Sequence, residues 1–417
     1  MKRLAAVLAA IAACLVSFSL AAQSGSGGVN RPEHIGKPYV ILVSVDGLKP
    51  EYLDRFTLPN FQRVIKRGAR ARGMIPVFPT LTFPNHYSLV TGLRPARHGI
   101  VFNRFWDPAR GQTYALGEEQ SVTDGTWYGG EPIWVTAETQ GMVAACFYWP
   151  GSEAAIKGVR PSLHRKYLQA MPNSERVAAV LEWLRLPAAS RPHLLTLYFS
   201  TLDSASHGGP LDAPGVEKAA REVDAVIGEL LDGIAALPIA RDINLLITSD
   251  HGMVDTTRAQ IVDIETIADM SGVIAFFGGP VTAVHIADAA RASQLRDQVN
   301  ARLTHGRAYL RGDLPERFYL RDNPRAGNVV VIMDEGWTLE RGRGRKRVEE
   351  WGQHGWDNIL PSMRATFIAM GPTIRAGLTI DEVENIDVYP FMAELLGLQA
   401  ATGIDGRPGR IRSLIAR

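Results

Sequence analysis

The stretch YVILVSVDG, from Tyr39 to Gly47, is a run of apolar and β-branched residues that ends in an aspartate and a glycine. Such a run is typical of a buried strand, and its polar end is typical of the point where a strand leaves a sheet. Six further runs of this kind follow along the chain: GMVAACFYW, HLLTLYFSTLD, INLLITSDHG, AVHIA, NVVVIMD and ATFIAMG. Together they predict an α/β fold with a doubly wound, mostly parallel central sheet and helices on both faces.

Segments with helical periodicity separate these runs. They are Leu58 to Arg67, Ser174 to Leu186, Gly215 to Leu237, Ala292 to Leu303 and about Asp387 to Leu396. The stretch from Asn103 to Gly130 is rich in glycine, aromatic and charged residues, which predicts a long loop over a site. Because an open α/β sheet binds its ligand at the carboxyl ends of the strands, we expect the functional residues there.

The composition bounds the class of protein. The chain has 417 residues, of which 46% are hydrophobic, which is enough for one large α/β domain or two smaller ones. Its net charge of +2 gives no general reason to bind nucleic acid, and no oligomeric state is predicted. The basic run RGRGRKR, Arg341 to Arg347, is spaced by glycines and is interpreted as a solvated loop.

The N-terminus has a basic start, a continuous apolar stretch and small residues, followed by a segment rich in glycine and serine. This pattern predicts a secretory signal over residues 1–22, a flexible segment over 23–36 and a single domain over 37–417, in a periplasmic or secreted protein. An uncleaved anchor and a lipoprotein signal at Ile11 to Cys14 are the alternatives. No later run is long and apolar enough to span a bilayer.

Cysteine usage adds one expectation. Cleavage of the signal would leave Cys146 as the only cysteine, so the mature chain would form no internal disulfide. Cys146 lies inside the apolar run GMVAACFYW and is expected to be a buried strand residue. Stability must then come from the core or from a metal.

The stretch PTLTFPNHY, Pro79 to Tyr87, places two threonines, Thr80 and Thr82, just ahead of a helical pattern that runs to Val90. Ser and Thr are favoured at helix N-caps and Pro in the first turn, so capping alone explains the pattern. Alternatively, one hydroxyl faces a phosphate, since a helix N-terminus favours anions. Both explanations stay open at this point.

Carboxylates and histidines follow several of the predicted strands. They are Asp46 after the first strand, Asp203 and His207 in an Asp-x-x-x-His pattern, the adjacent pair Asp250 and His251, and His354 in the loop WGQHGWDN. Each alone is ambiguous, but together with a threonine they suffice for two metal ions. Imidazole and carboxylate without thiolate suit zinc, with manganese or iron as alternatives. Two ions about 4 Å apart would clamp an in-line phosphoryl displacement.

These motifs together resemble the nucleotide pyrophosphatase/phosphodiesterase family of the alkaline phosphatase superfamily. The resemblance covers nearly all of the predicted mature chain. It rests on VSVDGL, PTLTFPNHYSLVTGLRPARHGI, VFNRFWD, STLDSASHGGP, ITSDHGM and QHGWDN. It implies the alkaline phosphatase-like version of the predicted α/β fold. Extracellular animal members carry many cysteines and additional domains, so this chain resembles a compact bacterial member.

The resemblance also implies roles for individual residues. Thr82 would be the nucleophile, and Asn103 would donate a hydrogen bond to the phosphoryl group. Phe83 would stack on a nucleobase, with Tyr167 and Tyr198 as further substrate-binding residues. Two Zn²⁺ ions per chain would be bound by two ligand sets, Asp46, Thr82, Asp250 and His251 for one and Asp203, His207 and His354 for the other.

The expected reaction is hydrolysis of nucleoside triphosphates or dinucleotides to a nucleoside 5′-monophosphate, through a phosphothreonine intermediate. Between Arg104 and Leu202 the chain has no Lys-x-Arg pair of the kind found in related threonine phosphomonoesterases, which favours diesters. A zinc phosphomonoesterase and a lipid or glycerol phosphodiesterase are the alternatives, together with a zinc- or nucleotide-binding module without turnover. The Cys-x-Pro-x-Arg sequence of sulfatases is missing.

Overall fold

The computed structural model describes residues 28–342, 348–407, 409 and 411–416. The predicted signal over 1–22, residues 23–27 and the basic residues 343–347 lie outside the described part. The periplasmic or secreted location, the solvated basic loop and the single domain over 37–417 stay predictions. No helix among the described residues is long and apolar enough to cross a membrane.

The strands are short and are distributed along the described residues. Their bounds are β1 Tyr39–Val45, β2 Ala69–Ala71, β3 Met74–Ile75, β4 Arg104–Asp107, β5 Gln112–Ala115, β6 Ala144–Phe147, β7 Leu163–Arg165, β8 Leu194–Phe199, β9 Ile243–Thr248, β10 Val254–Thr257, β11 Ile261–Asp263, β12 Val273–Phe277, β13 Val281–Ile286, β14 Gly306–Leu310, β15 Val329–Met333, β16 Thr338–Glu340, β17 Glu350–Gln353, β18 Phe367–Met370, β19 Leu378–Ile380 and β20 Val383–Glu384.

The helices alternate with these strands. Their bounds are α1 Tyr52–Arg55, α2 Pro59–Arg67, α3 Thr82–Thr91, α4 Pro95–His98, α5 Glu119–Thr123, α6 Ile133–Thr139, α7 Asn173–Leu184, α8 Thr201–Ser206, α9 Pro214–Ala235, α10 Ile264–Ile267, α11 Ala289–Arg302 and α12 Val388–Leu396. All five predicted helices are present. α11 begins three residues earlier than predicted because Asp288 caps it, its side chain accepting hydrogen bonds from the backbone N–H of Ala290 and Arg291.

Eight strands form the central sheet, in the spatial order β19-β2-β18-β9-β1-β8-β6-β7. β1 lies between β8 and β9 and runs parallel to both, and β6 and β7 continue the parallel set. Only β18 is antiparallel to its neighbours β9 and β2 among the described strands of this sheet. The predicted doubly wound, mostly parallel α/β fold is therefore confirmed.

Apolar clusters cover both faces of the central sheet. Along β1, Val40 and Leu42 belong to one cluster and Ile41 and Val43 to the other, because successive side chains of a strand point to opposite faces. Helices α3 and α12 contribute to the first cluster, and α7 and α9 to the second. Cys146 lies buried in β6, as predicted.

Two predicted runs, AVHIA and NVVVIMD, form strands but do not extend the central sheet. They become β13 and β15 of a separate antiparallel sheet with the order β12-β13-β15-β14. This sheet has its own apolar cluster, in which Leu295 and Val299 of α11 pack with Val284 and Val331. An apolar run predicts that a strand is buried, but it does not specify the strand's pairing partner. Their assignment to the central sheet was therefore wrong.

The stretch from Asn103 to Gly130 is not a long loop, so this prediction was also wrong. It contains the antiparallel hairpin β4-β5 and the helix α5. Arg325, far away in the sequence, holds the hairpin: its Nε donates to Asp107 Oδ2 at 2.9 Å and its guanidinium lies over the ring of Phe105. The ordering contact comes from a distant segment, which local composition does not reveal.

Candidate functional site

The carboxyl ends of β1, β8 and β9 bring three aspartates to one edge of the central sheet. Asp46 directly follows β1, Asp203 lies in the first turn of α8 after β8, and Asp250 follows β9. Because β1 runs parallel to both neighbours, these strand ends meet at the same edge. The predicted location of the site is therefore the one observed.

The first group of side chains consists of Asp46, Asp250 and His251. All three are buried, and one potential ligand atom from each lies within 4.8 Å of the others. His251 Nε2 lies 3.0 Å from Asp250 Oδ2 and 3.3 Å from Asp46 Oδ1. The hydroxyl of Thr82 is 3.4 Å from the same nitrogen. The four residues that the resemblance grouped around one ion thus lie together.

The second group consists of Asp203, His207 and His354, again with ligand atoms within 4.8 Å of one another. Asp203 Oδ1 lies 3.3 Å from His207 Nε2 and 3.8 Å from His354 Nε2. Burial, reinforced by the charge of His251, lowers the pKa of His354 to about 3, so this ring is neutral near pH 7. The two groups adjoin, since the rings of His251 and His354 stack 3.5 Å apart.

A backbone carbonyl orients each histidine of the two groups. The Nδ1 atoms lie 2.9 Å from Gly252 O for His251, 2.8 Å from Gly352 O for His207 and 2.8 Å from Thr80 O for His354. Because a carbonyl only accepts, each Nδ1 donates its proton to that carbonyl, and Nε2 is the ring nitrogen that remains for the site. The Nε2 atoms face the carboxylates of their own group, an arrangement typical of metal-binding histidines.

The carboxylates of the two groups lie against histidines, but three of their oxygens lack a hydrogen bond. Asp46 Oδ1, Asp203 Oδ1 and Asp250 Oδ2 are buried and accept no hydrogen bond from the described residues. Burial and the neighbouring Asp250 raise the pKa of Asp46 well above its usual range. Burial disfavours the charged form of His251, yet the Asp250 carboxylate outweighs it and raises the pKa of this histidine. The site concentrates negative charge, and its donor set fits divalent transition metals.

Thr82 is the first residue of α3, and its hydroxyl does not cap the helix. The N-cap position belongs to Leu81, and no side chain makes a cap hydrogen bond. The half-buried Thr82 hydroxyl instead faces the first group, 3.4 Å from His251 Nε2. Of the two explanations of the threonines, capping is therefore not the one observed.

Thr80 has a different place. It is fully buried, its hydroxyl donates to Trp356 O at 3.0 Å, and the same hydroxyl accepts from Gly355 N at 3.0 Å. Its carbonyl accepts the hydrogen bond from His354. Thr80 thus fixes the loop that carries His354 and leaves Thr82 as the threonine in the site.

Asn103 lies directly beside the start of α3. Its Oδ1 accepts a hydrogen bond from the backbone N–H of Phe83 at 2.9 Å, so the orientation of the amide is fixed by the donor. The amide nitrogen, which can only donate, remains for other partners. Asn103 and Thr82 both line a cleft of about 600 Å³ at the sheet edge.

Aromatic side chains form much of this cleft. Phe83 is half-buried, Tyr167 is 40% exposed, and Tyr148 packs edge-on against Tyr167 with ring centroids 5.1 Å apart. Tyr198 lines the same cleft but is only 9% exposed. The four aromatic residues lie together, with Phe83 and Tyr167 the more accessible of the three that the sequence analysis named.

Tyr198 makes a contact that the sequence analysis missed. Its hydroxyl donates to Asp46 Oδ2 at 2.5 Å, while Oδ1 of the same carboxylate faces His251. The hydroxyl thus fixes the rotation of the Asp46 carboxylate. The partner of Tyr198 lies 152 residues away in sequence, so no local pattern indicates this contact.

We expect Tyr198→Phe to weaken divalent metal binding at the first group by about 10- to 100-fold, because a residue that orients a ligand carboxylate is lost. Competition with a chromogenic chelator measures this affinity. Tyr148→Phe is the matched control, since the Tyr148 hydroxyl bonds to Met171 Sδ and not to a carboxylate. An unchanged metal affinity in Tyr198→Phe would contradict the positioning role.

His86 makes hydrogen bonds to two elements beside the site. Its Nδ1 donates to the carbonyl of Thr82 at 2.9 Å, and its Nε2 lies 2.8 Å from the hydroxyl of Ser44 on β1. Burial lowers the pKa of His86, which favours the neutral ring that can both donate and accept. His86 therefore ties the first turn of α3 to the central sheet.

Arg176 is a further residue that sequence reasoning missed. It is 2% exposed, and its guanidinium donates to three backbone carbonyls: Tyr198 O at 3.0 Å, Gln169 O at 3.1 Å and Met171 O at 3.1 Å. It thereby anchors the segment that carries Tyr167 and Gln169 in the cleft wall. In the sequence, an arginine among the apolar positions of α7 is the feature that could have indicated this buried role.

Comparison with known proteins identifies the family of this arrangement. The family model described as "Type I phosphodiesterase / nucleotide pyrophosphatase" matches residues 40–357. Ectonucleotide pyrophosphatase/phosphodiesterase family member 1 of Rattus norvegicus is 36% identical over 378 residues, covering 88% of this chain and 42% of the relative. The chain thus spans less than half the length of this relative. A Schizosaccharomyces pombe protein, described as the uncharacterized pyrophosphatase/phosphodiesterase C725.05c, is 33% identical over 90% of this chain and 80% of its own length.

Solved structures agree with this assignment. Murine ectonucleotide pyrophosphatase/phosphodiesterase 5 superimposes with a TM-score of 0.86 at 28% sequence identity, covering 91% of this chain and 100% of the murine chain. An inactive variant of the murine protein, in which alanine replaces a threonine, was solved in complex with AMP and superimposes equally well. The family predicted from the motifs is confirmed, and the chain belongs to the type I phosphodiesterase/nucleotide pyrophosphatase family.

Proposed function

We propose that this protein is a zinc-dependent hydrolase of phosphodiester and phosphoanhydride bonds in nucleotides. A nucleoside triphosphate or dinucleotide would yield a nucleoside 5′-monophosphate, through a covalent intermediate on Thr82. Family membership supports the class of reaction, and the relatives named above are described as nucleotide pyrophosphatases/phosphodiesterases. The substrate would be a small molecule, since a net charge of +2 gives no reason to expect nucleic acid binding.

The arrangement of carboxylates, histidines and Thr82 at the sheet edge is the main support for the proposal. Three buried carboxylate oxygens without hydrogen-bond donors face histidine nitrogens whose rings are fixed by backbone carbonyls, and the Thr82 hydroxyl lies at the edge of this arrangement. A buried cluster of carboxylates requires positive charge beside it, and a divalent cation between the carboxylate oxygens and the Nε2 atoms would supply that charge. The two groups therefore fit two Zn²⁺ ions, one bound by Asp46, Thr82, Asp250 and His251 and the other by Asp203, His207 and His354.

Bound zinc would lower the pKa of the Thr82 hydroxyl and neutralise charge on the attacking and leaving oxygens. Thr82 then attacks phosphorus, and the bond to the leaving group breaks on the opposite side. The Asn103 amide and the Thr82 backbone N–H donate to the nonbridging phosphoryl oxygens. Water next attacks the phosphorylated Thr82, which releases the nucleoside 5′-monophosphate and restores the hydroxyl.

The aromatic cleft favours a nucleoside substituent on the phosphate. Phe83, directly after the nucleophile, and the exposed ring of Tyr167 line the 600 Å³ cleft, and stacking on such rings is worth about 1–3 kcal/mol per base. A relative with the same fold was solved with AMP. Tyr198 would act mainly through Asp46, because it is buried and hydrogen-bonded to that carboxylate.

The charges of the cleft favour a diester over a monoester. A monoester dianion is usually bound by an extra cation, and the lysine that lines this cleft, Lys166, pairs with Glu119 at 2.6 Å. No arginine is among the cleft's described lining residues. The nonbridging oxygens would thus face the neutral amide of Asn103, which suits a monoanionic diester.

We expect the zinc-loaded protein to hydrolyse thymidine 5′-monophosphate p-nitrophenyl ester with a kcat/KM at least about 10-fold above that for p-nitrophenyl phosphate, because only the diester gains base stacking. Release of p-nitrophenolate measures both reactions. Phe83→Ala should remove most of the preference while leaving the monoester rate unchanged. A preference for the monoester would show that the substrate assignment is wrong and would favour a phosphomonoesterase.

A further inference from the structure

A distant arginine clamps the segment that carries Asn103 on both sides of that residue. Arg325 Nη1 donates to Gly99 O at 2.8 Å, before Asn103, and Arg325 Nε donates to Asp107 Oδ2 at 2.9 Å, after it. Nη1 also donates to Trp127 O at 3.0 Å. Because the guanidinium is planar and its donors point in fixed directions, these bonds fix the relative positions of the three acceptors.

The clamp is buried and closely fitted. The side chains of Arg325 and Asp107 are 15% and 6% exposed, and the guanidinium lies over the rings of Phe105 and Trp127. Gly99 has a φ of +85°, which glycine adopts without strain, and a Cβ at this position would lie 2.6 Å from Arg325 Nη1. A buried, hydrogen-bonded charge pair is costly to break, so the clamp holds the segment in one place.

The clamp connects this segment to the separate antiparallel sheet. Arg325 lies in the turn Pro324–Ala326, which leads into β15. Asn323 fixes the turn, because its Oδ1 accepts from Arg325 N at 3.0 Å and its Nδ2 donates to Ala96 O at 2.8 Å. The backbone on both sides of Asn103 is therefore held by residues that precede a strand of the other sheet.

Asn103 itself is bound at two further points. Its Oδ1 accepts from Phe83 N at 2.9 Å, and its backbone O accepts from Leu116 N at 3.0 Å. The first bond sets the rotation of the amide, but the distance of the amide nitrogen from the Thr82 hydroxyl depends on the backbone of residues 99–107. A displacement of about 1 Å at a group that contacts the reacting atoms can cost about 100-fold in rate.

We propose that Arg325 is a positioning residue for the amide of Asn103. This inference rests on the proposed function, in which that amide donates to a nonbridging phosphoryl oxygen, and it adds a residue that acts from outside the cleft. Arg325 is not among the described residues that line the cleft. It acts through the backbone of residues 99–107, so the separate sheet contributes to the placement of a phosphoryl-binding group.

A double-mutant cycle tests the proposal, because residues that act through one another have non-additive effects. The zinc-loaded parent, Arg325→Gln, Asn103→Ala and the double variant are compared by kcat/KM. The substrates are thymidine 5′-monophosphate p-nitrophenyl ester and p-nitrophenyl phosphate, which share the phosphoryl group and differ in the nucleoside. A thermal melt of each variant shows that it is folded at the assay temperature.

Two further variants complete the design. Asp107→Asn removes the charge that Arg325 Nε faces and tests the same clamp from its other end, with the Arg325 side chain in place. Arg311→Gln is the matched control, since the Arg311 side chain donates to Gly327 O at 3.0 Å and to Arg321 O at 2.7 Å, beside the same turn.

We expect Arg325→Gln and Asp107→Asn each to lower kcat/KM about 10-fold or more on both substrates, because the misplaced amide serves the shared phosphoryl group. In the Asn103→Ala background the same changes should cost less than about 2-fold, since the amide that they position is absent. Arg311→Gln should stay within about 2-fold of the parent.

Equal losses with and without Asn103 would overturn the proposal, because they would show that Arg325 only stabilises the fold. A loss confined to the nucleotide ester would also overturn it, since Arg325 would then act on the nucleoside. No loss in either clamp variant would do the same. A parent protein that hydrolyses neither substrate would reject the proposed function, and this inference with it.

Discussion

Replacing Thr82 with alanine is expected to lower kcat by at least about 1000-fold on a nucleotide diester, because the nucleophile is removed. The fold should survive, since the Thr82 hydroxyl makes no cap hydrogen bond and its nearest polar contact is His251 Nε2 at 3.4 Å. Steady-state hydrolysis of thymidine 5′-monophosphate p-nitrophenyl ester, with a thermal melt alongside, measures both.

The controls separate a lost nucleophile from a disturbed site. Thr82→Ser keeps a hydroxyl at the same position and should retain turnover within about 10-fold of the parent. Thr80→Ser keeps the hydroxyl that bonds Trp356 and Gly355 and should leave kcat near that of the parent. Full activity in Thr82→Ala would exclude the covalent mechanism.

Removing bound metal with a chelator is expected to abolish turnover, again by at least about 1000-fold, and added Zn²⁺ should restore it. Without a cation, the buried oxygens of Asp46, Asp203 and Asp250 have no hydrogen-bond donor among the described residues. Atomic emission analysis of the purified protein should find about two Zn²⁺ per chain, in line with the two groups of ligands.

A pair of histidine variants tests the ligand assignment. His354→Ala should lower the metal content toward one ion per chain, because His354 Nε2 lies in the second group with Asp203. His305→Ala is the control, since His305 stacks on Trp337 at 3.7 Å and is outside both groups. Equal metal contents in the two variants would show that His354 is not a ligand.

Much of the fold could be predicted because local patterns of apolar residues in the sequence indicate its strands and helices. The apolar runs at β1, β8 and β9 end in Asp46, Asp203 and Asp250, and parallel pairing alone brings such ends to one edge. The separate sheet could not be predicted, because β13 and β15 have the same apolar pattern as central strands. Pairing partners are chosen by packing over the whole chain.

The candidate site also contains residues that could be predicted from the sequence and residues that could not. The residues with metal-ligand chemistry stand in short motifs, so their proximity could be predicted from sequence. The residues that orient these ligands do not belong to such motifs. Tyr198 donates to Asp46, which is 152 positions away, and Arg176 binds backbone carbonyls, which no sequence motif indicates.

The stereochemical course at phosphorus distinguishes hydrolysis through a covalent intermediate on Thr82 from direct attack by water. The substrate is a single phosphorothioate diastereomer of thymidine 5′-monophosphate p-nitrophenyl ester, hydrolysed in water enriched in oxygen-18. Attack by Thr82 followed by attack of water gives two inversions, so we expect net retention of configuration in the thymidine phosphorothioate product. Net inversion would mean that water attacks the substrate directly and that Thr82 forms no covalent intermediate.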